Sequence, residues 1–100
     1  MRGVYPQWAS DKEFWKHYRK HWIELGVLSA TQYDHSARVI VRTGKRFTYR
    51  TPGGRPRVGY FDQTSGLLTA LTRDEVIILT HYRPQDGATY VRALPESTYP

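Results

Sequence analysis

The segment KHYRKH at positions 16–21 holds the densest set of chemically active side chains in the sequence, with two histidines, two lysines, an arginine and a tyrosine. Histidine exchanges a proton near neutral pH, and neighbouring cations lower the imidazole pKa and keep it available as a base. Metal-independent RNA cleavage needs such a base for the 2′-hydroxyl, an acid for the leaving oxygen, and fixed cations for the charged phosphorane. The segment therefore predicts a phosphodiester-cleaving site, against the alternative of a solvated basic face.

A zinc site is a second interpretation of this segment. His17 and His21 are spaced i, i+4, and Glu24 follows one turn later, which resembles a ligand pattern. The lysines and arginine around the pair would oppose a dication, and the HExxH pattern is absent. We therefore expect no metal and no other cofactor.

The segment VIILTHYR at 76–83 carries a second candidate group. Strand alternation places Thr80 and Tyr82 on one side and His81 on the other. A hydroxyl suits a phosphate and an aromatic ring suits a base, although β propensity alone also explains both residues. The Gly/Pro-rich loop TPGGRPR at 51–57 is predicted to contact phosphates. The side chains expected to bind RNA are Lys16, Arg19, Arg50, Arg55, Arg57 and Arg83.

Two helices precede the strands in the predicted element order. Capping boxes and terminal glycines predict helices over residues 10–25 and 29–44. On the first helix, residues at helical spacing predict a buried stripe, with the titratable row along its flank. This predicted stripe consists of Phe14, Tyr18, Trp22 and Leu25.

From Lys45 onward the sequence changes to short β-branched and aromatic runs separated by turn residues, which is typical of an antiparallel meander. Residues 88–94 are a candidate for a further strand, and residues 1–9 for an extended lead-in. The predicted fold is α+β, with two N-terminal helices packed on a twisted antiparallel sheet of four to five strands. A chain of 100 residues forms one domain, 1–100.

The composition favours a polyanionic partner. Fifteen Lys and Arg against nine Asp and Glu give a net charge of +6. No cysteine is present, which excludes disulfides and thiolate catalysis. No apolar run is long enough to span a membrane, and residues 1–10 lack the apolar stretch of a signal peptide. We expect no membrane partner, and export by other means if the protein is exported.

Two segments resemble the colicin D type of tRNA-cleaving toxin domain, within the barnase-like, RelE-like and colicin-like ribonucleases of polymorphic and contact-dependent inhibition toxins. They are KHWIELGVLSATQY at 20–33 and GYFDQTSGLLTALTRDEVIILTHYRP at 59–84. The first is similar to the family's Lys-His pattern followed by a Ser-started helix. The second is similar to its closing hairpins, which end in Ser or Thr, any residue, and an aromatic.

The resemblance implies a metal-independent endoribonuclease, with His21 as the catalytic histidine, Lys20 as the adjacent lysine, Thr80 as the active-site hydroxyl and Tyr82 as the aromatic. His17 is the reserve candidate for the second proton transfer. Where the family has another lysine, this chain has Tyr18, so Lys16 or Arg19 is expected to supply that charge.

This resemblance also implies partners and a place of action. The substrate would be RNA, with tRNA expected, and an acidic immunity or antitoxin protein would cover the basic cleft. The domain would be secreted or delivered into the cytoplasm of a target bacterium. Two alternatives remain open: a non-catalytic basic domain that binds nucleic acid, and a prophage interaction domain.

Overall fold

The computed structural model describes residues 6–100 and contains three helices and one five-stranded sheet in that range. No helix within residues 6–100 has the length and apolar character needed to cross a membrane. The elements, in chain order, are β1 (Gln7–Trp8), α1 (Asp11–Leu25), α2 (Ala30–Thr43), β2 (Lys45–Arg50), β3 (Pro56–Asp62), β4 (Leu67–Thr72), β5 (Ile77–Tyr82) and α3 (Gly87–Ala93).

Both long helices begin where the capping boxes predict. The Ser10 hydroxyl accepts a hydrogen bond from the amide of Glu13, and the Ser29 hydroxyl accepts one from the amide of Gln32, both at 3.1 Å. Each bond satisfies an amide that has no partner within its own helix. Gly26 ends α1 in the left-handed conformation, with φ of 70°, which favours glycine because it has no Cβ.

The sheet confirms the α+β architecture. Its strand order is β1-β5-β4-β3-β2, with antiparallel pairing throughout β2 to β5 and parallel pairing between β1 and β5. The fifth strand therefore comes from residues 7–8 of the predicted lead-in, whereas residues 1–5 lie outside the described part of the chain. The prediction of a strand over 88–94 is wrong, because α3 covers most of this segment.

Helix α2 packs on one face of the sheet. Its buried residues Tyr33, Ala37 and Ile40 recur at helical spacing, and Ile40 contacts a cluster formed by Val58, Tyr60, Leu71 and Ile78. His81 also faces this side and is fully buried. Because side chains alternate along β5, the neighbouring residues Thr80 and Tyr82 face the other side, as the sequence predicts.

The opposite face of the sheet carries a second core, which consists of Phe47, Phe61, Leu68 and Val91. Here α3 and the C-terminal segment pack on the sheet, and the Phe47 ring lies directly over Gly59. A Cβ at Gly59 would lie 2.5 Å from the ring, so glycine is the residue that allows this approach. The row of Thr80 on this face consists of small residues, because Thr80 pairs with Ala70 and Ala70 pairs with Gly59, whereas Tyr82 lies in the row of Leu68 and Phe61.

One prediction about α1 is wrong: Trp22, assigned to the buried stripe, is 41% exposed. The helix packs against β5 through His17 and His21, whereas Phe14 and Tyr18 contact Tyr33 of α2. The buried side of α1 is thus rotated towards the histidines, and this rotation turns Trp22 outward.

Candidate active site

Helix α1 and strand β5 bring together four residues that the sequence singles out. The His17 Nδ1 atom lies 3.2 Å from the Thr80 hydroxyl oxygen, within hydrogen-bond distance. The His21 ring stacks on the Tyr82 ring, with centroids 5.4 Å apart and an angle of 24° between the planes. The residue that contacts Thr80 is therefore His17, and His21 lies one helical turn further along, against Tyr82.

The two imidazoles lie side by side along α1. Their ring centroids are 6.2 Å apart and the planes differ by 10°, as the i, i+4 spacing on one helix face requires. The His17 side chain is 17% exposed and the His21 side chain 10% exposed. Both side chains are therefore mostly buried, and packing restricts their orientations.

Burial is the main reason that the pKa of His17 is lowered below its usual value. The neighbouring His21 and Lys16 lower the pKa further, and Glu13 opposes them only in part. A lowered pKa keeps the His17 imidazole neutral at physiological pH. Neutral imidazole is the form that accepts a proton, so His17 has the chemical state of a general base.

Glu24 fixes the orientation of His21. Its Oε1 atom lies 3.1 Å from His21 Nδ1, and its Oε2 atom accepts a hydrogen bond of 2.9 Å from the Arg83 amide. Partial burial alone would raise the pKa of Glu24, but the hydrogen bonds from Arg83 and His21 outweigh burial and lower it. Since an ionised carboxylate only accepts hydrogen bonds, Nδ1 of His21 carries the proton and Nε2 remains for other partners.

Cations lie on one side of this histidine pair. Lys16 is 62% exposed and forms a loose ion pair of 3.6 Å with Glu13, and Lys20 is also exposed. Both are close enough to His17 to lower its pKa. Arg19 is two residues from each histidine and therefore projects from the other side of the helix. The structure thus places Lys16 and Lys20, but not Arg19, beside the imidazoles.

Arg83 holds two elements together. Besides its amide bond to Glu24, its guanidinium donates to the Glu24 backbone carbonyl and, at 3.4 Å, to the Ser65 carbonyl. These bonds tie the end of α1 to the end of β5 and to the β3–β4 turn. The predicted RNA-binding residue Arg83 is therefore engaged in positioning the Glu24–His21 pair.

The remaining predicted RNA-binding residues, Arg50, Arg55 and Arg57, lie at the other end of the sheet. They flank the turn between β2 and β3, whereas Tyr82 pairs with Leu68 at the opposite end. The structure does not bring these arginines into the histidine cluster. Arg57 nevertheless shares the sheet face of Thr80 and Tyr82, because residues 57, 59 and 61 alternate onto that face.

Sequence reasoning missed Tyr90 and Tyr49. The hydroxyls of Tyr82 and Tyr90 lie 2.7 Å apart, and burial raises the pKa values of Tyr82 and Tyr49. Both of these phenols therefore stay protonated. The signal for Tyr90 was the i, i+3 spacing of Ala88 with Val91, which indicates a helix rather than a strand.

Among residues 6–100, no three His, Cys, Asp or Glu side chains are grouped so that they could hold a metal ion. Glu24, which the sequence places at ligand-like spacing, pairs instead with His21 and the Arg83 amide. No family model matches the chain, and no curated protein matches it in sequence.

Proposed function

We propose that the chain is a metal-independent endoribonuclease that cleaves RNA to a 2′,3′-cyclic phosphate and a 5′-hydroxyl. The observation that supports this most strongly is the convergence of two imidazoles and a hydroxyl at one place, with His17 3.2 Å from Thr80 and His21 6.2 Å from His17, ring to ring. Two groups that move protons, held in fixed positions beside lysines, are what transesterification of an RNA linkage requires.

In the proposed reaction, neutral His17 takes the proton of the 2′-hydroxyl, and the 2′-oxygen attacks the adjacent phosphorus. The bond from phosphorus to the 5′-oxygen breaks, and protonated His21 gives its proton to that oxygen through Nε2, because Glu24 already holds Nδ1. The negative charge that develops on the phosphorane is stabilised by Lys20 and Lys16. No atom from water or a cofactor enters this step.

Thr80 and Tyr82 have different parts in this proposal. The Thr80 hydroxyl accepts a hydrogen bond from His17 Nδ1 and donates to a non-bridging phosphate oxygen, which leaves Nε2 of His17 to take the proton. His21 stacks on the Tyr82 ring, so in this proposal Tyr82 supports that imidazole. The base beside the cut would meet the Tyr82–Tyr90 pair.

The test is incubation of purified total tRNA with the domain in EDTA, with fragments resolved on a denaturing gel. We expect discrete fragments from the wild type, and a rate lower by about 10²–10⁴-fold for His17→Ala and for His21→Ala. His35→Ala is the matched control, because His35 is an exposed histidine of α2, and it should cleave like the wild type. Equal cleavage by all four proteins would refute the proposed roles.

The same gel separates the other two functions. Intact RNA of retarded mobility on a native gel, with no fragments, would favour a nucleic-acid-binding domain without catalysis. No change on either gel would favour a protein-interaction domain. Resemblance to the colicin D type leads us to propose tRNA as the substrate, the cytoplasm of a target bacterium as the place of action, and an acidic immunity protein as the neutralising partner.

A further inference from the structure

A second basic site lies at the end of the sheet away from the histidines. Where the β2–β3 turn meets the β4–β5 turn, the surface encloses a cavity of about 230 Å³. Its walls include Tyr49, Arg50, Arg57, Arg73 and Glu96. Arg57 pairs in the sheet with Thr72, so the backbone itself places Arg57 and Arg73 next to each other.

Positive charge in this cavity exceeds negative charge. Arg50 pairs with Glu96 at 3.4 Å, and the Arg57 guanidinium donates at 3.3 Å to the carbonyl of Pro56. Within residues 6–100 the structure records no ion pair for Arg57 or Arg73. Guanidinium groups held close together repel one another, and an anion with several acceptor oxygens relieves this repulsion.

The acidic residue of the cavity, Glu96, is held in an unusual backbone conformation. Its φ is 54°, in the left-handed region that side chains other than glycine rarely adopt, and its side chain is 74% exposed. The Arg50 amide donates to the Pro95 carbonyl at 2.8 Å, which keeps Glu96 beside the Arg50 guanidinium. The Glu96 carboxylate is thus exposed and pairs with Arg50, one of the three arginines of the cavity.

We propose that the pocket of Arg50, Arg57 and Arg73 binds a phosphate group and that Glu96 is the carboxylate that this phosphate displaces. We further infer, and this part rests on the proposed ribonuclease function, that the phosphate belongs to the backbone of the RNA strand whose scissile linkage lies at His17.

The placement of the pocket supports a single strand reaching both sites. Arg57 and Thr80 lie on the same sheet face, two strands and about two residues apart, which corresponds to roughly 12 Å between Cα atoms. Tyrosines lie between the two sites. The hydroxyls of Tyr82 and Tyr90 form a hydrogen bond, and Tyr90 is close enough to Tyr49 to raise the pKa of Tyr49. Aromatic rings between two phosphate sites suit a single strand, whose bases are free to stack.

The first experiment is an NMR titration of the ¹⁵N-labelled domain with inorganic phosphate. We expect the amide signals around Arg50, Arg57 and Arg73 to shift, and the affinity to fall about tenfold in the double variant Arg57→Gln/Arg73→Gln. The control is Lys12→Gln/Arg42→Gln, which removes the same charge from exposed residues elsewhere. Equal phosphate affinity in the two double variants would refute the proposal that this pocket binds phosphate.

Glu96→Gln tests the displaced carboxylate separately. We expect it to tighten phosphate binding several-fold, whereas Asp86→Asn, an equal change in charge at an exposed residue outside the cavity, should not. If both variants tighten binding equally, net charge is the cause and Glu96 does not occupy the phosphate position.

The second experiment distinguishes a strand phosphate from a free one. A fluorescent 2′-O-methyl oligoribonucleotide cannot be cleaved, so its binding reports affinity alone. Loss of one phosphate contact should reduce the slope of log K against log salt by roughly 0.7 in Arg57→Gln/Arg73→Gln but not in Lys12→Gln/Arg42→Gln. An unchanged slope, together with impaired binding of inorganic phosphate, would assign the pocket to a free phosphate and reject the RNA strand. Uncleaved tRNA would reject the proposed ribonuclease but leave the phosphate pocket standing.

Discussion

Stability should depend on pH through His81, the fully buried histidine that anchors β5 behind the candidate active site. Its Nδ1 donates to the Leu68 carbonyl at 3.1 Å and to the Thr69 hydroxyl at 2.9 Å, and the Ser36 hydroxyl donates to its Nε2 at 2.8 Å. Burial is the main cause that lowers the pKa of His81 to about 4. The folded protein therefore holds this ring neutral, in one tautomer.

The sign and size of the effect follow from linkage. The folded pKa of about 4 lies below the unfolded value of 6.5, so between these two pH values the unfolded chain binds more protons, and stability falls as pH falls. The loss begins near pH 6.5, reaches about 2 kcal/mol at pH 5, and levels off at about 3 kcal/mol below pH 4. At pH 7 and above, His81 imposes no such cost.

The assay is urea unfolding of the wild type and of His81→Gln between pH 7.5 and 5. Glutamine can donate and accept hydrogen bonds but does not titrate, so the stability advantage of the wild type should shrink by about 2 kcal/mol over this range. The carboxylates and the other histidines are present in both proteins, so their contributions cancel in the difference. If the difference in unfolding free energy between the wild type and His81→Gln does not change with pH, the reasoning is refuted. If that variant does not fold, an NMR titration of the His81 ring in the wild type decides, since a midpoint near 6.5 would contradict the burial argument.

Three further predictions concern the sheet and the site. Gly59→Ala should lower the free energy of unfolding by about 1–3 kcal/mol in urea melts, because the new Cβ would lie 2.5 Å from the buried Phe47 ring, whereas the open Gly53→Ala should change it little. Glu24→Gln should reduce kcat for RNA cleavage about tenfold or more with little change in KM, since it weakens the grip on His21 Nδ1; a change confined to KM would contradict this role. The acidic limb of the kcat/KM profile should fall below pH 6.5, because activity is lost only as pH drops through the lowered pKa of His17; a limb above pH 6.5 would remove His17 as the base.

Local signals predicted the helices well, because each signal is satisfied within a few residues. Ser10 and Ser29 cap their helices through bonds to amides three positions on, and these bonds depend on nothing distant. The alternation of β5 was likewise sufficient to separate Thr80 and Tyr82 from His81. Such features follow from the chain itself and need no tertiary information.

Features that depend on distant packing were not predictable in the same way. Residues 88–94 alternate well enough for a strand, but the backbone bonds to β2 involve the segment that follows them, between Pro95 and Arg50 and between Thr98 and Thr48. The segment packs instead as a helix, with Val91 buried against Phe47 and Phe61. Strand β1 consists of only two residues, Gln7–Trp8, and so short a segment shows no alternation of apolar and polar residues that would predict its pairing with β5.

The pairing of His17 with Thr80 and of His21 with Tyr82 has a geometric cause. β1 pairs only with Ile77 and Ile78, and α1 crosses the rest of the β5 edge. Four helical residues advance about 6.0 Å and two strand residues advance about 6.6 Å, so the i, i+4 histidines of α1 match the i, i+2 pair of Thr80 and Tyr82. Because the Arg83–Glu24 bonds fix the C-terminal end of α1 at the end of β5, His21 must face Tyr82, and Thr80 is left to His17. The spacing of the two histidines on the helix therefore matches the spacing of Thr80 and Tyr82 on the strand. Which histidine faces which strand residue is set by Arg83, which ties the end of α1 to the end of β5.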